Sequence, residues 1–401
     1  MSPAARAAAA SVAATPPDFS AMRRRFLIAG VAGLVLMLVG RFLNPAQFYR
    51  SYLLGYSLWI GIALGCMGIL MLQHLSGGAW GVVLRRILEA GTRTLPILFI
   101  LFLPLLTGTG WLYPWADPAK VAADPLLQQK SPYLNVTGFI IRALVYFAVW
   151  CALAWALSRW SDEQDRTADP ALIDRLGKLS GAGIALYVLT MTFASVDWMM
   201  SLEPHWFSTI YGIFIVMGQV LSGMAFGIVV LALLAARAPL QGKVGPRHFH
   251  DLGKLLFAFV MVWAYFAFSQ FLIIWSGNLP EEIPWYLKRL TGGWQYVALG
   301  LVVLQFALPF VLLLSARLKR EPVRLARIAA FLVVMRFVDL IWTLAPGAQQ
   351  EQRSGIGLHW MDLAALIGVG GIWLALFLRY LQEKPLLPMG EPLLMESIDG
   401  R

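Results

Sequence analysis

Charge and cysteine are both scarce in this chain. Only 13% of its 401 residues are charged, whereas 59% are hydrophobic. That balance excludes an ordinary water-soluble domain, in which about a quarter of the residues are charged. The two cysteines, Cys66 and Cys151, lie in apolar runs, and two thiols cannot build a four-cysteine iron–sulfur cluster, a cysteine zinc site or a disulfide framework. The composition indicates a membrane protein.

Histidine is also scarce, with only five residues. A bis-histidine haem needs two histidines that face each other inside a helix bundle. All five lie instead near expected loops or helix ends: His74, His205, His248, His250 and His359. The sequence also lacks a Cys-x-x-Cys-His haem attachment motif. We therefore expect no redox cofactor in this chain.

Long apolar runs fill most of the chain. A helix that crosses a bilayer needs about 20 apolar residues, and ten stretches approach or exceed that length. Residues 1–20 are predicted to form a disordered cytoplasmic tail, 21–384 a ten-span all-helical domain, and 385–401 a cytoplasmic C-terminal tail. The predicted spans are 26–43, 52–73, 94–112, 138–158, 179–201, 207–235, 254–275, 292–315, 325–345 and 361–381.

Basic residues are distributed unevenly between alternate loops. When residues near the span ends are counted with the adjoining loops, 23 of the 32 Lys and Arg residues fall on the side that holds both termini and 8 fall on the opposite side, while Arg336 lies deep within a span. The positive-inside rule therefore predicts that both termini are cytoplasmic. These loops account for the net charge of +10, so no nucleic-acid partner is needed. Arg24 and Arg25 resemble part of a twin-arginine export signal, but the many following spans favour a membrane anchor.

Two local patterns predict details of the packing. Residues 81–94, GVVLRRILEAGTRT, are amphipathic, and we predict a short helix along the cytoplasmic surface before the third span. Gly30 and Gly33 in the first span, and Gly368, Gly370 and Gly371 in the tenth, favour close contact between helices.

Charged residues inside the spans give the clearest functional signal. The fifth span ends in SVDWMMSLEPHWF, which places Asp197 about 6 Å below the outer surface, before a turn with Glu203 and His205. In the ninth span, Asp339 lies about 9 Å deep, and Arg336 lies three residues earlier on the same helical face. The two carboxylates would thus share a layer. Because a charge at bilayer depth costs about 3 kcal/mol, such residues usually face a protein interior and often mark proton paths.

A second group of ionisable residues lies at the cytoplasmic mouth of the seventh span. It includes His250, Asp251 and Lys254, and with the previous five residues it completes the set of proton-path candidates. Structural roles are open for each candidate. Arg336 and Asp339 could form a structural ion pair. Glu203 and His205 could shape the turn or cap the next helix. The group around His250 could be part of the positive charge that sets the orientation in the membrane.

Three segments resemble a known membrane family. They are 195–226, 250–294 and 333–346, which begin SVDWMMSLEPHWF, HDLGKLLFAF and VVMRFVDLIWTLAP. These strings are similar to the F-type membrane subunit of alternative complex III, a bacterial quinol:cytochrome c oxidoreductase. That subunit belongs to the broader polysulfide-reductase, or NrfD-like, membrane family. The likeness covers most of the chain from residue 180 and, more loosely, the first four spans.

The resemblance implies a specific architecture and a specific setting. Spans two to five and six to nine would form two four-helix bundles, with spans one and ten outside them. The implied setting is the bacterial inner membrane, with membrane lipid and the quinone pool around the chain. Haem c and iron–sulfur clusters are expected on partner subunits, namely multihaem cytochrome and iron–sulfur subunits beside a sibling ten-span membrane subunit.

The resemblance also implies a role without redox chemistry in this chain. It implies support for proton transfer or for the architecture of the quinol site, and it leaves open whether quinol contacts the chain. The matching positions are Asp197, Glu203, His205, Lys254 and Asp339. Two other classes remain open from the residues alone. One is a secondary transporter built on repeated bundles, and the other is a passive scaffold that docks redox partners.

Overall fold

Ten long helices make up most of the protein. The computed structural model describes residues 17–348, 357–391 and 394, and these contain helices and turns but no strand. The ten helices are long and apolar enough to cross a membrane, which confirms the predicted all-α, polytopic fold. We number them α1 to α10: Ser20–Leu43, Pro45–Ser76, Arg85–Leu106, Val136–Thr167, Ala171–Leu202, Tyr211–Ala235, Pro246–Gly277, Trp294–Leu314, Pro322–Gly347 and Trp360–Gln382.

Several helices extend beyond their apolar stretches because polar residues cap them. Helix α2 begins at Pro45, where a missing N–H is tolerated, and the Asn44 side chain accepts a hydrogen bond from the Gln47 N–H. Helix α4 begins after Asn135, whose side chain accepts from the Gly138 N–H at 2.7 Å. Hydropathy alone underestimates these helices because their first turns are polar.

Two four-helix bundles form the body of the protein. Helices α2 to α5 pack around one another as bundle A, and α6 to α9 pack as bundle B. Helix α2 packs against α6 and joins the bundles, while α10 packs on α2 and α1 packs on α10. The most apolar window of α2 is 94% buried, whereas that of α1 is only 22% buried, so α2 is central and α1 is peripheral. The arrangement implied by the family resemblance is confirmed.

Glycine sets the closest helix crossings. Gly33 of α1 meets the backbone of Gly368 in α10, and Gly30 meets Gly371 one turn away. Gly65 of α2 lies against the backbone of α6 at the junction of the two bundles. A methyl group at any of these positions would overlap backbone atoms. The predicted close helix contact is therefore confirmed, and the structure shows that it joins α1 to α10 at Gly30, Gly33, Gly368 and Gly371.

The predicted surface helix at 81–94 is wrong in its placement. The helix Arg85–Thr92 exists, but all eight of its residues are buried, and it forms the first part of α3. Arg85 and Arg86 tolerate burial because each forms an ion pair with Glu89 on the same helix. Ion pairing inside the fold therefore replaces the expected contact with the membrane surface.

The middle of helix α8, in bundle B, is irregular. Leu301–Ala307 is a π-helical segment, and Pro309 follows it in the next turn. Proline has no N–H for the carbonyl four residues earlier, that of Gln305, and its ring crowds that carbonyl. Segments of π-helix occur frequently at functional sites. Here the segment carries Gln305, whose side chain is fully buried.

We call the side of the membrane at which α1 begins the basic side, because most Lys and Arg residues lie there. The predicted N-terminal tail lies mostly outside the described residues, and α1 begins at Ser20. The first part of the predicted C-terminal tail, 385–391, packs on the basic side. There Leu386 and Leu387 are buried, and Glu391 pairs with Arg85.

Candidate functional site

Arg336 and Asp339 form an ion pair inside bundle B. The Arg336 Nη1 donates to Asp339 Oδ2, and the two side chains are 3% and 1% exposed. Their spacing of three residues places them on one face of α9. Asp339 lies eight residues before Gly347, about 12 Å from that end of the helix at 1.5 Å per residue. It is therefore deeper than the predicted 9 Å, because α9 continues beyond residue 345.

Buried polar side chains from neighbouring helices surround this ion pair. The Arg336 guanidinium lies against the backbone of Gly218 in α6. Gln305 of α8 and Trp263 of α7 lie near the Asp339 carboxylate. Both groups can donate hydrogen bonds to that carboxylate. Gln305 Oε1 and Thr343 Oγ1, by contrast, are buried and have no hydrogen-bond partner among the described residues. We call these five side chains the Asp339 cluster: Trp263, Gln305, Arg336, Asp339 and Thr343.

Glu203 and Arg289 form a second ion pair at the end of bundle B opposite the basic side. Arg289 Nη2 donates to Glu203 Oε1 at 2.8 Å, and Lys288 Nζ donates to Oε2 at 3.0 Å. Arg289 is 1% exposed and also donates to the carbonyls of Thr343 and Trp342. Burial lowers the pKa of Arg289, and the adjacent Glu203 carboxylate opposes that shift.

The contacts of Glu203 decide between the roles that the sequence left open. Helix α6 begins without a side-chain cap, so neither Glu203 nor His205 caps it. Glu203 instead joins the turn after α5 to the short helix Pro284–Arg289 between α7 and α8. Arg289 lies 86 positions along the chain from Glu203, and sequence reasoning missed it because residue spacing carries no information about such a contact.

Tyr211 is buried near both ion pairs of bundle B. It stands at the start of α6, is 1% exposed, and interacts electrostatically with Glu203 and Arg289 as well as with Arg336 and Asp339. Thr343 also connects the outer ion pair with the Asp339 cluster. Its carbonyl accepts a hydrogen bond from Arg289 at 2.6 Å, and its hydroxyl belongs to the cluster. Polar groups thus extend from the rim of bundle B to its buried carboxylate.

Asp197 lies in bundle A, with partners of its own. Arg142 of α4 donates to both carboxylate oxygens at 2.9 Å, and the Tyr146 hydroxyl donates at 2.7 Å. The Arg142 guanidinium also lies 3.9 Å from the centre of the Tyr133 ring. Arg142 lies within the predicted fourth span, 138–158, and was not identified as a site residue from the sequence. Its spacing of four residues from Tyr146 on one helix was the available signal for a shared site.

The two carboxylates expected to share a layer therefore belong to separate clusters. Asp197 has an arginine from α4, whereas Asp339 has an arginine from its own helix. In the part of the chain that the structure describes, no hydrogen bond joins one cluster to the other. Each bundle contains its own buried carboxylate with its own guanidinium.

His205 pairs with a loop residue outside the bundles. Its Nε2 lies 2.6 Å from Asp124 Oδ2, and its side chain is 62% exposed. Asp124 caps the short helix Pro125–Lys130. Partial burial would raise the pKa of Asp124, but the N–H groups of Leu126 and Leu127, together with His205, hold that pKa below its ordinary value. The contact fastens the loop between α3 and α4 to the turn after α5.

The second predicted group, at the start of α7, forms local pairs. Asp251 accepts from Lys254 Nζ at 3.1 Å, and His250 Nδ1 lies 3.6 Å from the same Asp251 oxygen. The Lys254 side chain is 58% exposed. This group lies at the basic end of bundle B. Within the described ranges, no hydrogen bond links these three residues to the Asp339 cluster.

A buried charge network at the basic end of bundle A was not predicted. Glu89 accepts from Arg85 Nε at 3.0 Å, from Arg86 Nη1 at 2.6 Å and from the Ser161 hydroxyl at 2.6 Å. Arg85 Nη1 also donates to Glu391 at 2.8 Å. The spacing of Glu89, three and four residues after the two arginines, was the available signal. The network joins α3, α4 and the segment after α10.

Comparison with known proteins adds no family assignment. No protein-family model matches the chain, and no curated protein matches its sequence significantly. Among the described His, Cys, Asp and Glu side chains, no group of three or more could hold a metal ion. The ten membrane helices show a polytopic integral membrane protein.

Proposed function

We propose that this chain is a membrane subunit of a quinol-oxidising respiratory complex of the alternative complex III type, and that it carries protons rather than electrons. The resemblance of three long segments supports the assignment to this complex. In this proposal, haem c and iron–sulfur clusters are bound by partner subunits. The proton role is carried by one observation: Asp339 is buried in bundle B beside two polar oxygens, Gln305 Oε1 and Thr343 Oγ1, that lack hydrogen-bond partners among the described residues.

The polar atoms of the Asp339 cluster suit a relay that includes water. Buried polar atoms without partners are rare, and each one needs an explanation. In the interior of a membrane protein, bound water is the usual partner for such atoms. We infer that the Gln305 amide and the Thr343 hydroxyl bind water beside the Asp339 carboxylate. Carboxylates connected by water are the common elements of proton relays in membranes.

The proposed relay reaches one end of bundle B, the end opposite the basic side, because the polar contacts described above continue from Asp339 toward that end. From Asp339, Tyr211 and Thr343 lead to the ion pair of Glu203 and Arg289. Oxidation of one quinol yields one quinone, two electrons and two protons. In this proposal the electrons go to the partner subunits, and the polar series of bundle B conducts protons between the membrane interior and the side opposite the basic side.

Co-purification tests the assignment to a respiratory complex. The full chain, tagged and extracted from its native membrane in mild detergent, is expected to bring down polypeptides that carry haem c and iron–sulfur clusters, visible in an optical spectrum. Purification of the chain alone, without absorbance from these cofactors, would contradict the proposal. Solute uptake by vesicles that contain only this chain would favour a transporter.

A matched pair of glutamine variants tests the relay. In the assembled complex, Gln305→Leu removes the amide beside Asp339 but no charge, and we expect quinol oxidation to slow about tenfold. Gln73→Leu is the control, because Gln73 is also buried with an unpartnered oxygen but belongs to α2 in bundle A. Equal turnover in the two variants would remove Gln305 from the proposed relay.

A further inference from the structure

A groove opens on the side of bundle A, between α3, α4 and the end of α10. Its volume is about 340 Å³. One part is apolar and the other is basic. The residues that matter here are Pro96, Ala154 and Trp155 on the apolar wall, and Arg93, Arg159 and Arg166 at the basic end.

One face of α4 runs along the groove and changes character along its length. Trp155, Arg159, Asp162 and Arg166 follow one another at spacings of four, three and four residues, so they share a helical face. Trp155 is 61% exposed, and the Arg159 guanidinium lies 5.2 Å from the centre of its ring. The apolar part of α4 ends near residue 158. The groove therefore crosses the boundary between membrane interior and water on the basic side.

The basic end of the groove has an excess of positive charge. Arg159 and Arg166 are exposed, and neither has an acidic partner within residues 17–348 and 357–391. Asp162 is engaged by Lys384 of the segment after α10. Arg93 pairs with Glu383 at 2.8 Å and lies over the Tyr380 ring. The two unpaired guanidinium groups thus stand at the water end of a wall that is otherwise apolar.

We propose that this groove binds an anionic phospholipid from the basic-side leaflet. Arg159 and Arg166 attract and bind the phosphate, because a guanidinium forms paired hydrogen bonds with phosphate oxygens. An acyl chain then covers Trp155, Ala154 and Pro96, which are apolar groups at membrane depth. Basic pockets between membrane helices at this level suit anionic headgroups. A free phosphate would bind the arginines but leave the apolar wall uncovered.

Binding of phosphatidylglycerol to the purified full-length chain tests the proposal. We expect Arg159→Gln/Arg166→Gln to weaken this binding about tenfold or more, measured by native mass spectrometry against phosphatidylcholine, because each arginine near an anionic headgroup adds about a fivefold gain. The control is Arg175→Gln/Arg327→Gln, which removes the same charge from two exposed basic-side positions outside the groove. Arg159→Lys/Arg166→Lys keeps the charge but loses the paired hydrogen bonds, so its binding is expected to lie between that of the wild type and that of the glutamine variant.

Three results would overturn the proposal. The first is equal loss of phosphatidylglycerol in the groove variant and its control, which would indicate a general charge effect. The second is weakened binding in the lysine variant to the level of the glutamine variant, which would show that the positive charge of these two side chains does not contribute to binding. The third is displacement of phosphatidylglycerol by glycerol phosphate at equal concentration, since that ligand has no acyl chain and would identify a phosphate site instead.

Discussion

The guanidinium of Arg336 packs directly against the backbone of Gly218 on α6, the helix of bundle B that packs against α2 of bundle A. A methyl group at Gly218 would occupy the position of the guanidinium, which is buried and paired with Asp339. We predict that Gly218→Ala displaces Arg336 and lowers the free energy of unfolding by about 1–3 kcal/mol. Denaturation in mixed detergent micelles measures this effect.

Gly110→Ala is the control for that substitution. A Cβ at Gly110 meets no atom within 4 Å, so the change in backbone flexibility is tested without a clash. If Gly218→Ala unfolds at the same denaturant concentration as Gly110→Ala, the guanidinium does not depend on the space that Gly218 provides.

Variants of the Arg336 and Asp339 ion pair can distinguish an effect on stability from an effect on quinol oxidation. Arg336→Leu leaves a buried carboxylate without its partner, and we predict a loss of about 3–5 kcal/mol in the free energy of unfolding. The double variant Arg336→Leu/Asp339→Leu buries no charge at this position, and much of the stability should return. Its quinol oxidation should remain slow, because the carboxylate is gone. A double variant less stable than the single one would show that the two charges are not coupled.

The ion pair of Glu203 and Arg289 should matter more than the neighbouring contact of Lys288. Glu203→Gln leaves the buried Arg289 guanidinium without a countercharge, and we predict a loss of about 2 kcal/mol in the free energy of unfolding. Lys288→Gln removes a side chain that is 56% exposed, and its effect should stay within about 1 kcal/mol. Amide hydrogen exchange of residues 285–289 gives a local measure of this stability. Equal exchange rates in the two variants would argue against a special role for Arg289.

The network around Glu89 should hold the segment after α10 on the basic side. Glu89→Gln leaves Arg85 and Arg86 with less compensating charge inside the protein, and we predict a loss of about 3 kcal/mol in stability. Protease cleavage within 385–391 should also accelerate. Glu163→Gln is the control, because Glu163 lies on α4 near the same end but only partly buried. Unchanged cleavage in the Glu89 variant would show that other contacts hold this segment.

The apolar runs predicted the ten helices because a membrane span needs a minimum length of such residues. Arg336 and Asp339 were also predictable, since residues three apart on a helix share a face. The contacts between helices were not. Asp197 meets Arg142 across 55 positions, and Glu203 meets Arg289 across 86. Spacing within one helix contains no signal for these pairs, and the placement of Gln305 depends on a π-helical segment that apolar periodicity does not reveal.

Proton release during quinol oxidation tests the central claim most directly. Asp362→Asn is the matched control for Asp339→Asn: Asp362 is also buried, but it caps α10 outside bundle B, where it accepts from the Ser51 hydroxyl at 2.5 Å and the His359 N–H at 2.8 Å. The assembled complex is reconstituted in vesicles, and a pH-sensitive dye reports proton release. We expect Asp339→Asn to release fewer protons per quinol or to release them about tenfold more slowly. Asp362→Asn should behave as the wild type. The same stoichiometry and rate in all three proteins would contradict a proton path through bundle B.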